Sequence, residues 1–133
     1  YALIECATAS HRQKLMWPTS RSGAAFIGLK VQDANGNLIE CESNGTPLAK
    51  DLSLYFQAYT GVKRPFVVKW QITNTGEEAR QAGCLRGNFE NSDIGEMGKK
   101  ESTAYSGSHS IQCFIIKNGT CVAKSKAYII NIK

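Results

Sequence analysis

The chain has 133 residues, of which 42% are hydrophobic and 20% charged, and its formal net charge at pH 7 is +5. A chain of this length fits one domain that buries roughly two thirds of its unfolded surface. It has no signal-peptide layout and no apolar run near the ~20 residues of a membrane span. Because it opens at Tyr1 rather than Met, we expect a fragment of a longer protein or a processed one.

The basic residues favour an anionic partner but are scattered along the chain in runs of no more than two. An extended nucleic-acid track needs lysine and arginine clustered on one face, so we expect no extended nucleic acid, whereas a compact anion needs few cations. We also expect no membrane association.

The cysteines are odd in number, widely spaced and without a C-x-x-C pair. Reduced, mostly buried thiols in a cytoplasmic protein explain them better than a disulfide framework or a zinc site, so we expect no metal and no cofactor. Two Asn-Gly-Thr sequons, at Asn44 and Asn118, are also Asn-Gly turns, which explains them without secretion. The five cysteines are Cys6, Cys41, Cys84, Cys113 and Cys121.

The first eighteen residues differ from the rest of the chain. Leu3, Ile4 and Ala7 lie at helical offsets, and the basic stretch "HRQKLMWP" then ends at Pro18. Residues 1–18 are therefore predicted to be a helix or a linker from an upstream domain, and residues 19–133 a β-sandwich domain.

Period-2 patterns recur between Asn-Gly turns from residue 24 onward. Residues 24–42 predict a hairpin, and alternating apolar residues predict strands at 52–58 and 66–73. In the second of these, Phe66, Val68, Trp70 and Ile72 face inward and Val67, Lys69, Gln71 and Thr73 face outward.

A shorter strand near residues 83–89 precedes the glycine-rich charged loop "NSDIGEMGKK". The last two strands, about 102–116 and 120–132, are joined by the hairpin turn "KNGT". About seven strands at this spacing, with Trp70 on an early central strand, predict an all-β, two-sheet immunoglobulin-like β-sandwich.

Polar residues continue two of the inward faces at one end of the sandwich. Asn74 shares the parity of Trp70. In one uninterrupted strand, alternate residues from Glu101 to His109 would share a face with Ile111. If the two strands are neighbours, their polar ends line a shallow cavity, where sandwich folds commonly bind ligands.

Each of these residues also has a structural interpretation. Tyr105 lies where a tyrosine corner would tie back to the backbone, and His109 fits a satisfied core histidine. Trp70 fits a core tryptophan, while Trp17, outside the strand pattern, fits an exposed or cleft-side indole. Arg86 fits either a solvated strand arginine or a guanidinium fork for phosphate.

Several stretches, taken together and in order, resemble the C-terminal sensor domain that follows bacterial adenylyl/guanylyl cyclases and SMODS-type nucleotidyltransferases. They are "HRQKLMWP" (11–18), "VKWQITNTGEEA" (68–79), "CLRG" (84–87), "ESTAYSGSH" (101–109) and "QCFIIKNGTCVAKSKAYIINI" (112–132). No single motif is decisive, but W-x-x-x-N-T-G-x-E-A with a later E-x-T-x-Y-x-G-x-H is moderately specific. No catalytic domain accompanies these motifs in this sequence.

The resemblance implies a non-enzymatic sensor of a nucleotide or cyclic oligonucleotide second messenger. Such a sensor would regulate an upstream cyclase, nucleotidyltransferase or effector domain in bacterial anti-phage conflict signalling. Phosphate would bind to Arg86 and the Arg12/Lys14 pair, Tyr105 or Trp17 would stack on the base, and polar side chains would contact its edges. The motif residues expected to bind ligand are His11, Arg12, Lys14, Trp17, Trp70, Asn74, Thr75, Arg86, Thr103, Tyr105 and His109.

Two other functions stay open at this point. Immunoglobulin-like sandwiches also serve as protein-interaction modules, which would use an exposed strand edge and leave the polar row structural. His11 and His109 with Lys14 could instead imitate a two-histidine phosphodiesterase, although no nucleophile motif or metal cluster is visible.

Overall fold

The computed structural model describes residue 6, residues 9–20 and residues 22–133. The helical pattern of Leu3, Ile4 and Ala7 lies outside these residues. The described residues form nine strands and one five-residue helix that follows β4. In chain order they are β1 (Ala25–Gln32), β2 (Leu38–Glu40), β3 (Ser53–Thr60), β4 (Val67–Asn74), α1 (Glu77–Gln81), β5 (Phe89–Asn91), β6 (Gly98–Ser102), β7 (Gly107–Lys117), β8 (Thr120–Lys124) and β9 (Tyr128–Ile132).

The strands form two antiparallel sheets, with the orders β2-β1-β3-β6 and β5-β4-β7-β8. Strand β9 joins the second sheet beside the first half of β7, and β8 pairs with its second half. Strands β1-β3-β6 match the A-B-E arrangement of immunoglobulin domains and β5-β4-β7-β8 the C′-C-F-G arrangement, with β4 in the place of strand C and β2 as an added edge strand. The predicted two-sheet, immunoglobulin-like sandwich is therefore confirmed.

Alternate residues of the central strands fill the space between the sheets. Trp70 on β4 is fully buried and packs against Phe56 of β3, with ring centroids 6.4 Å apart. Ile111, Cys113 and Ile115 of β7 are exposed by 2% or less, so the predicted inward faces are confirmed. The turn between β7 and β8 has positive φ at both Asn118 and Gly119, as a type I′ hairpin requires.

Several predicted strand boundaries are wrong. Residues 101–109 are not one strand, since Glu101 lies on β6 in one sheet and β7 begins at Gly107 in the other. Residues before Gly107 therefore do not share a sheet face with Ile111, as the alternation had predicted, because residues 103–106 cross between the sheets. The predicted strand 120–132 is likewise two strands, interrupted at residues 125–127.

The region between β4 and β6 also departs from the prediction. Residues 82–88 are irregular, and the strand that pairs with β4 covers residues 89–91, so it shares only Phe89 with the expected strand near 83–89. The predicted loop "NSDIGEMGKK" ends in β6, which pairs with β3. Strand β6 escapes pattern recognition because "GKKES" has no apolar alternation.

Residues 9–17 lie against the outer face of the β5-β4-β7-β8 sheet. Gln71 and Thr73 point away from the sandwich core as predicted, yet they are only 2% and 0% exposed. Residues of the 9–17 segment bond to the Gln71 side chain. The Gln13 backbone N–H donates to the Gly87 carbonyl over 2.8 Å, and the Cys6 thiol lies 3.7 Å from the Thr73 carbonyl. The N-terminal segment is thus packed onto the sheet.

Gly87 permits this packing, since a Cβ atom there would overlap the backbone of His11 and Arg12. We expect Gly87→Ala to destabilise the domain by about 1–3 kcal/mol and to loosen residues 9–17. Urea unfolding and amide hydrogen exchange at Gln13 would measure the two effects. Gly61→Ala is the control, because a Cβ atom at Gly61 meets no atom within 4 Å; equal stability of the two variants would contradict the prediction.

All five cysteines fall within the described residues, and none forms a disulfide. No helix in the described part of the chain has the length and apolar character needed to traverse a bilayer.

Candidate functional site

A cavity of about 420 Å³ opens between the two sheets at the end of the sandwich where β4 ends and β7 begins. Its walls are mainly apolar side chains from both sheets, and its polar groups come from β4, β6, β7 and the connecting segments. The lining residues are Leu54, Phe56, Ile72, Asn74, Cys84, Leu85, Arg86, Glu101, Ser102, Ala104, Tyr105, His109, Ile111, Ile130 and Ile132. A mostly apolar pocket with a few convergent polar groups is typical of a small-molecule site.

Strand pairing brings Asn74 and His109 together, since the two residues are direct partners in the β4–β7 register. The Asn74 side chain holds the cavity rim: its Nδ2 donates to the Cys84 carbonyl over 2.9 Å and its Oδ1 accepts from the Arg86 N–H at 2.6 Å. Asn74 is 2% exposed. It therefore shapes the cavity, with both ends of its amide already bonded.

His109 is buried in the cavity wall and lies 3.0 Å, through Nε2, from the Tyr105 carbonyl. Burial lowers the pKa of His109; the bond to Tyr105 opposes this shift, and the charge of Arg86 adds to it. The imidazole is thus neutral at pH 7, and because Nε2 donates to a carbonyl, Nδ1 carries an acceptor lone pair. Among the described residues Nδ1 has no hydrogen-bond partner.

Tyr105 lies in the β6–β7 crossover, where a tyrosine corner would lie. Its hydroxyl, however, lies 3.1 Å from the Cys84 Sγ rather than bonding to the backbone, so the structure does not form that corner. The hydrogen bond to Cys84 raises the pKa of Tyr105. The half-buried ring is one wall of the cavity.

Arg86 lies at the cavity rim within a network of ion pairs. Its guanidinium contacts Glu101 through both Nη atoms and Glu90 through Nη2 at 2.6 Å. Lys99 approaches Asp93 at 2.9 Å, Glu90 at 3.2 Å and Glu101 at 3.4 Å. These five residues, called here the rim network, join β5 and the 84–88 segment to β6 of the opposite sheet.

The rim network carries three carboxylates and two cations, a formal charge of −1. Burial alone would lower the pKa of Arg86, but the hydrogen bonds and charges of Glu101 and Glu90 raise it. The carboxylates of Glu101 and Glu90 therefore already occupy both Nη atoms of Arg86. Its Nε has no partner among the described residues and stays available at the rim.

The predicted site residues divide into three groups. Asn74, Arg86, Tyr105 and His109 meet at the cavity. Four others belong to the N-terminal segment on the other face of the sheet: His11, Arg12, Lys14 and Trp17. There His11 Nε2 lies 2.6 Å from the Asn74 carbonyl. The ring centroids of Trp17 and Phe89 are 5.0 Å apart.

The third group does not line the cavity. The Trp70 indole is in the core and donates to Ser92 Oγ over 2.9 Å. Thr103 is fully buried, with Oγ1 accepting from the Leu52 N–H and donating to the Ala49 carbonyl, both at 2.8 Å. Thr75 follows β4 outside the cavity.

Sequence reasoning missed most of the rim network. Glu101 was only a motif residue, and Glu90, Asp93 and Lys99 lay in segments predicted to be irregular. The available signal was the two acidic residues of "FENSD" and the i, i+2 spacing of Lys99 and Glu101 in "KKES", but the pairing of β6 with β3 was needed to bring them together. Among the described residues, no group of three His, Cys, Asp or Glu side chains could hold a metal ion.

Comparison with known proteins gives the family. The chain has no match among the curated proteins. Residues 7–133, nearly the whole chain, match the family model described as the adenylyl/guanylyl and SMODS C-terminal sensor domain. This family is a sensor domain rather than a catalytic one, and the chain belongs to it.

Proposed function

We propose that this sensor domain binds a nucleotide or a cyclic oligonucleotide, with a base in the cavity between the sheets. The observation that carries the proposal is the convergence of Asn74, Arg86, Tyr105 and His109 on one mainly apolar cavity. A nucleobase has apolar faces and a polar edge, so it matches apolar walls that end in a few hydrogen-bonding groups.

Each polar group has a distinct part in this proposal. The Tyr105 ring stacks on the base, and the unpartnered Nδ1 of His109 accepts a hydrogen bond from an exocyclic amine or ring N–H. Because the rim network is negative overall, the phosphates stay at the cavity mouth, where we assign Arg86 Nε to them as an unpaired donor. The Asn74 amide keeps the rim in place and does not contact the base.

Occupancy of the cavity is relayed to the N-terminal segment. Asn74 holds the rim with its side chain and accepts a hydrogen bond from His11 with its backbone carbonyl. A shift of this residue on ligand binding therefore moves residues on both faces of the sheet. The regulated partner would be an upstream cyclase, nucleotidyltransferase or effector domain of a cytoplasmic bacterial defence system.

Isothermal titration with 5′-AMP, 5′-GMP and cyclic dinucleotides tests the binding proposal. At least one should bind, and Tyr105→Ala should weaken that binding about tenfold, since stacking contributes ~1–3 kcal/mol per base. Tyr59→Ala is the matched control, because Tyr59 is 55% exposed on the outer face of the other sheet. Absence of heat with every nucleotide, or equal affinity in the two variants, would refute the proposal.

A protein-interaction module is the second candidate, and one observation favours it. The edge strand β2 exposes Leu38 and Ile39 by 56% and 52%. An exposed apolar edge can pair with a strand of another protein. Two results together would favour this candidate over a nucleotide sensor. The wild type would bind a partner domain tightly but no nucleotide, and Ile39→Lys would abolish binding of the partner.

A further inference from the structure

A groove of about 270 Å³ lies on the outer face of the β5-β4-β7-β8 sheet, on the side opposite the cavity. Three basic residues line it, Arg12, Lys14 and Lys124, together with the amides of Gln71 and Gln112. None of its lining residues is acidic. We call this the outer groove.

Arg12 is the most constrained cation of the outer groove. Its Nε donates to Gln71 Oε1 at 3.0 Å and its Nη2 to Gln112 Oε1 at 2.7 Å. The orientations of both amides are fixed from behind, because Gln71 Nε2 donates to the Gln13 and Gly87 carbonyls and Gln112 Nε2 to the Ser125 carbonyl. The guanidinium is thus held in one position by neutral groups.

The charge of Arg12 has no acidic counterpart among the described residues, where no carboxylate comes within ion-pair distance of it. Burial lowers the pKa of Arg12, and the electrostatic interaction with Cys6 only partly opposes this shift. Half-buried cations are normally paired, as Arg86 is by Glu90 and Glu101. Arg12 therefore keeps its attraction for an anion.

The other basic donors of the outer groove make no hydrogen bond to the described part of the protein. Arg12 Nη1 has no partner among these residues, and the Lys14 and Lys124 side chains are exposed. Three cations and a spare guanidinium edge around one small groove suit a compact, multiply charged oxyanion, and arginine donors match the geometry of phosphate oxygens.

We infer that the outer groove is a phosphate-binding site, separate from the cavity between the sheets. It takes the phosphate group of a small anion or of a larger ligand, with Arg12 as the half-buried anchor and Lys14 and Lys124 closing on the oxygens. The N-terminal basic residues then do not assist Arg86 in one site, as the sequence suggested, but form a second one.

Titration with inorganic pyrophosphate at low ionic strength tests this inference, read by calorimetry and by thermal unfolding. Wild type should bind and melt at a higher temperature with pyrophosphate. Arg12→Gln should lower the affinity for pyrophosphate at least about tenfold, because hydrogen bonds between charged groups contribute more than those between neutral groups. The double variant Lys14→Gln/Lys124→Gln alters only exposed side chains, so it should fold normally and lose affinity to a similar extent.

Arg80→Gln is the matched control, since Arg80 is 60% exposed on α1 and pairs with Glu77. It removes one positive charge without touching the outer groove, so its affinity should equal that of wild type. Because the groove and the cavity lie on opposite faces of the sheet, Tyr105→Ala should bind pyrophosphate with wild-type affinity; loss of pyrophosphate binding in this variant would place the anion in the cavity instead. Wild-type pyrophosphate affinity in the double variant, or no binding by the wild type, would overturn the inference.

Discussion

Replacing Lys99 by methionine should lower the free energy of unfolding by about 2–3 kcal/mol. The methionine keeps the apolar stem of a side chain that is only 8% exposed but removes the cation from between three carboxylates. Glu90 and Glu101 would then keep only Arg86, and Asp93 would have no cation within ion-pair distance among the described residues. We place the loss just below the ~3–5 kcal/mol that follows when one partner of a fully buried pair is removed, since these carboxylates are 15–45% exposed.

The pH dependence of this loss follows from two opposite pKa shifts. Burial alone would raise the pKa of Asp93, but hydrogen bonds from the Lys100 N–H and the Lys99 ammonium lower it below 3.8. Burial alone would lower the pKa of Lys99, but Asp93, Glu101 and Glu90 raise it above 10.5. An acid whose pKa is lowered by folding stabilises the folded state at pH values above its pKa in the unfolded chain. A base whose pKa is raised by folding stabilises the folded state at pH values below its pKa in the unfolded chain. The full deficit should therefore appear between about pH 5 and pH 10 and shrink in acid, as the carboxylates are protonated.

Lys50→Met is the control for the Lys99 variant. Lys50 pairs with Glu78 on the surface, where both side chains are about 40% exposed, and such pairs contribute ~0–1 kcal/mol. Urea denaturation of both variants across this pH range measures the difference. If the two variants lose equal stability, or if the Lys99 deficit does not shrink in acid, the rim network is not a buried electrostatic unit.

The inward faces were predictable because apolar alternation reports burial directly. Leu54, Phe56 and Ala58 on β3 and Val68, Trp70 and Ile72 on β4 follow the pattern and are all buried. Strand β6 was not predictable in this way. Its residues pair with β3 through the backbone, and its buried Lys99 is stabilised by carboxylates rather than by apolar neighbours.

The cavity was predictable only in part. Asn74 and His109 were expected at the ends of two inward faces, and the β4–β7 register supplies the condition that the two strands are neighbours. Tyr105 reached the cavity by a different route, on the crossover between the sheets rather than on β7. The alternation of residues along the chain cannot show where a crossover ends and a strand begins when glycine and serine lie on both sides of the boundary, as they do in "YSGSH".

The position of the N-terminal segment was beyond sequence reasoning. Its residues cover a sheet face that alternation marks as solvent-facing, so Gln71 and Thr73 were expected on the surface and are buried. Contacts between distant parts of the chain produce this result, including Arg12 with Gln112 and Gln13 with Gly87. The glycine of "CLRG" signalled a close approach only once its neighbour was known.

Asn74→Ala should cost about 2–4 kcal/mol of folding free energy and also weaken ligand binding at the cavity. The substitution removes the two hydrogen bonds that fix residues 84–86, and it leaves the Cys84 carbonyl and the Arg86 N–H without their partner. A buried polar group that loses its hydrogen bond costs ~1–3 kcal/mol, well above the net value of a typical bond. With the rim released, Arg86 and Cys84 no longer hold the position that shapes the cavity.

Asn131→Ala separates this effect from the general loss of a strand asparagine. Asn131 lies on β9 and makes comparable side-chain bonds, to Ser108, Asn44 and Gly45, but the last two are to exposed groups that water can satisfy. We expect it to cost less than ~1 kcal/mol and to leave binding at the cavity unchanged. Because Asn74 acts on the rim rather than on the base, calorimetry should show weakened binding of every nucleotide that binds the wild type, without a change in their order. A change of nucleotide preference in Asn74→Ala would instead show that its amide contacts the base.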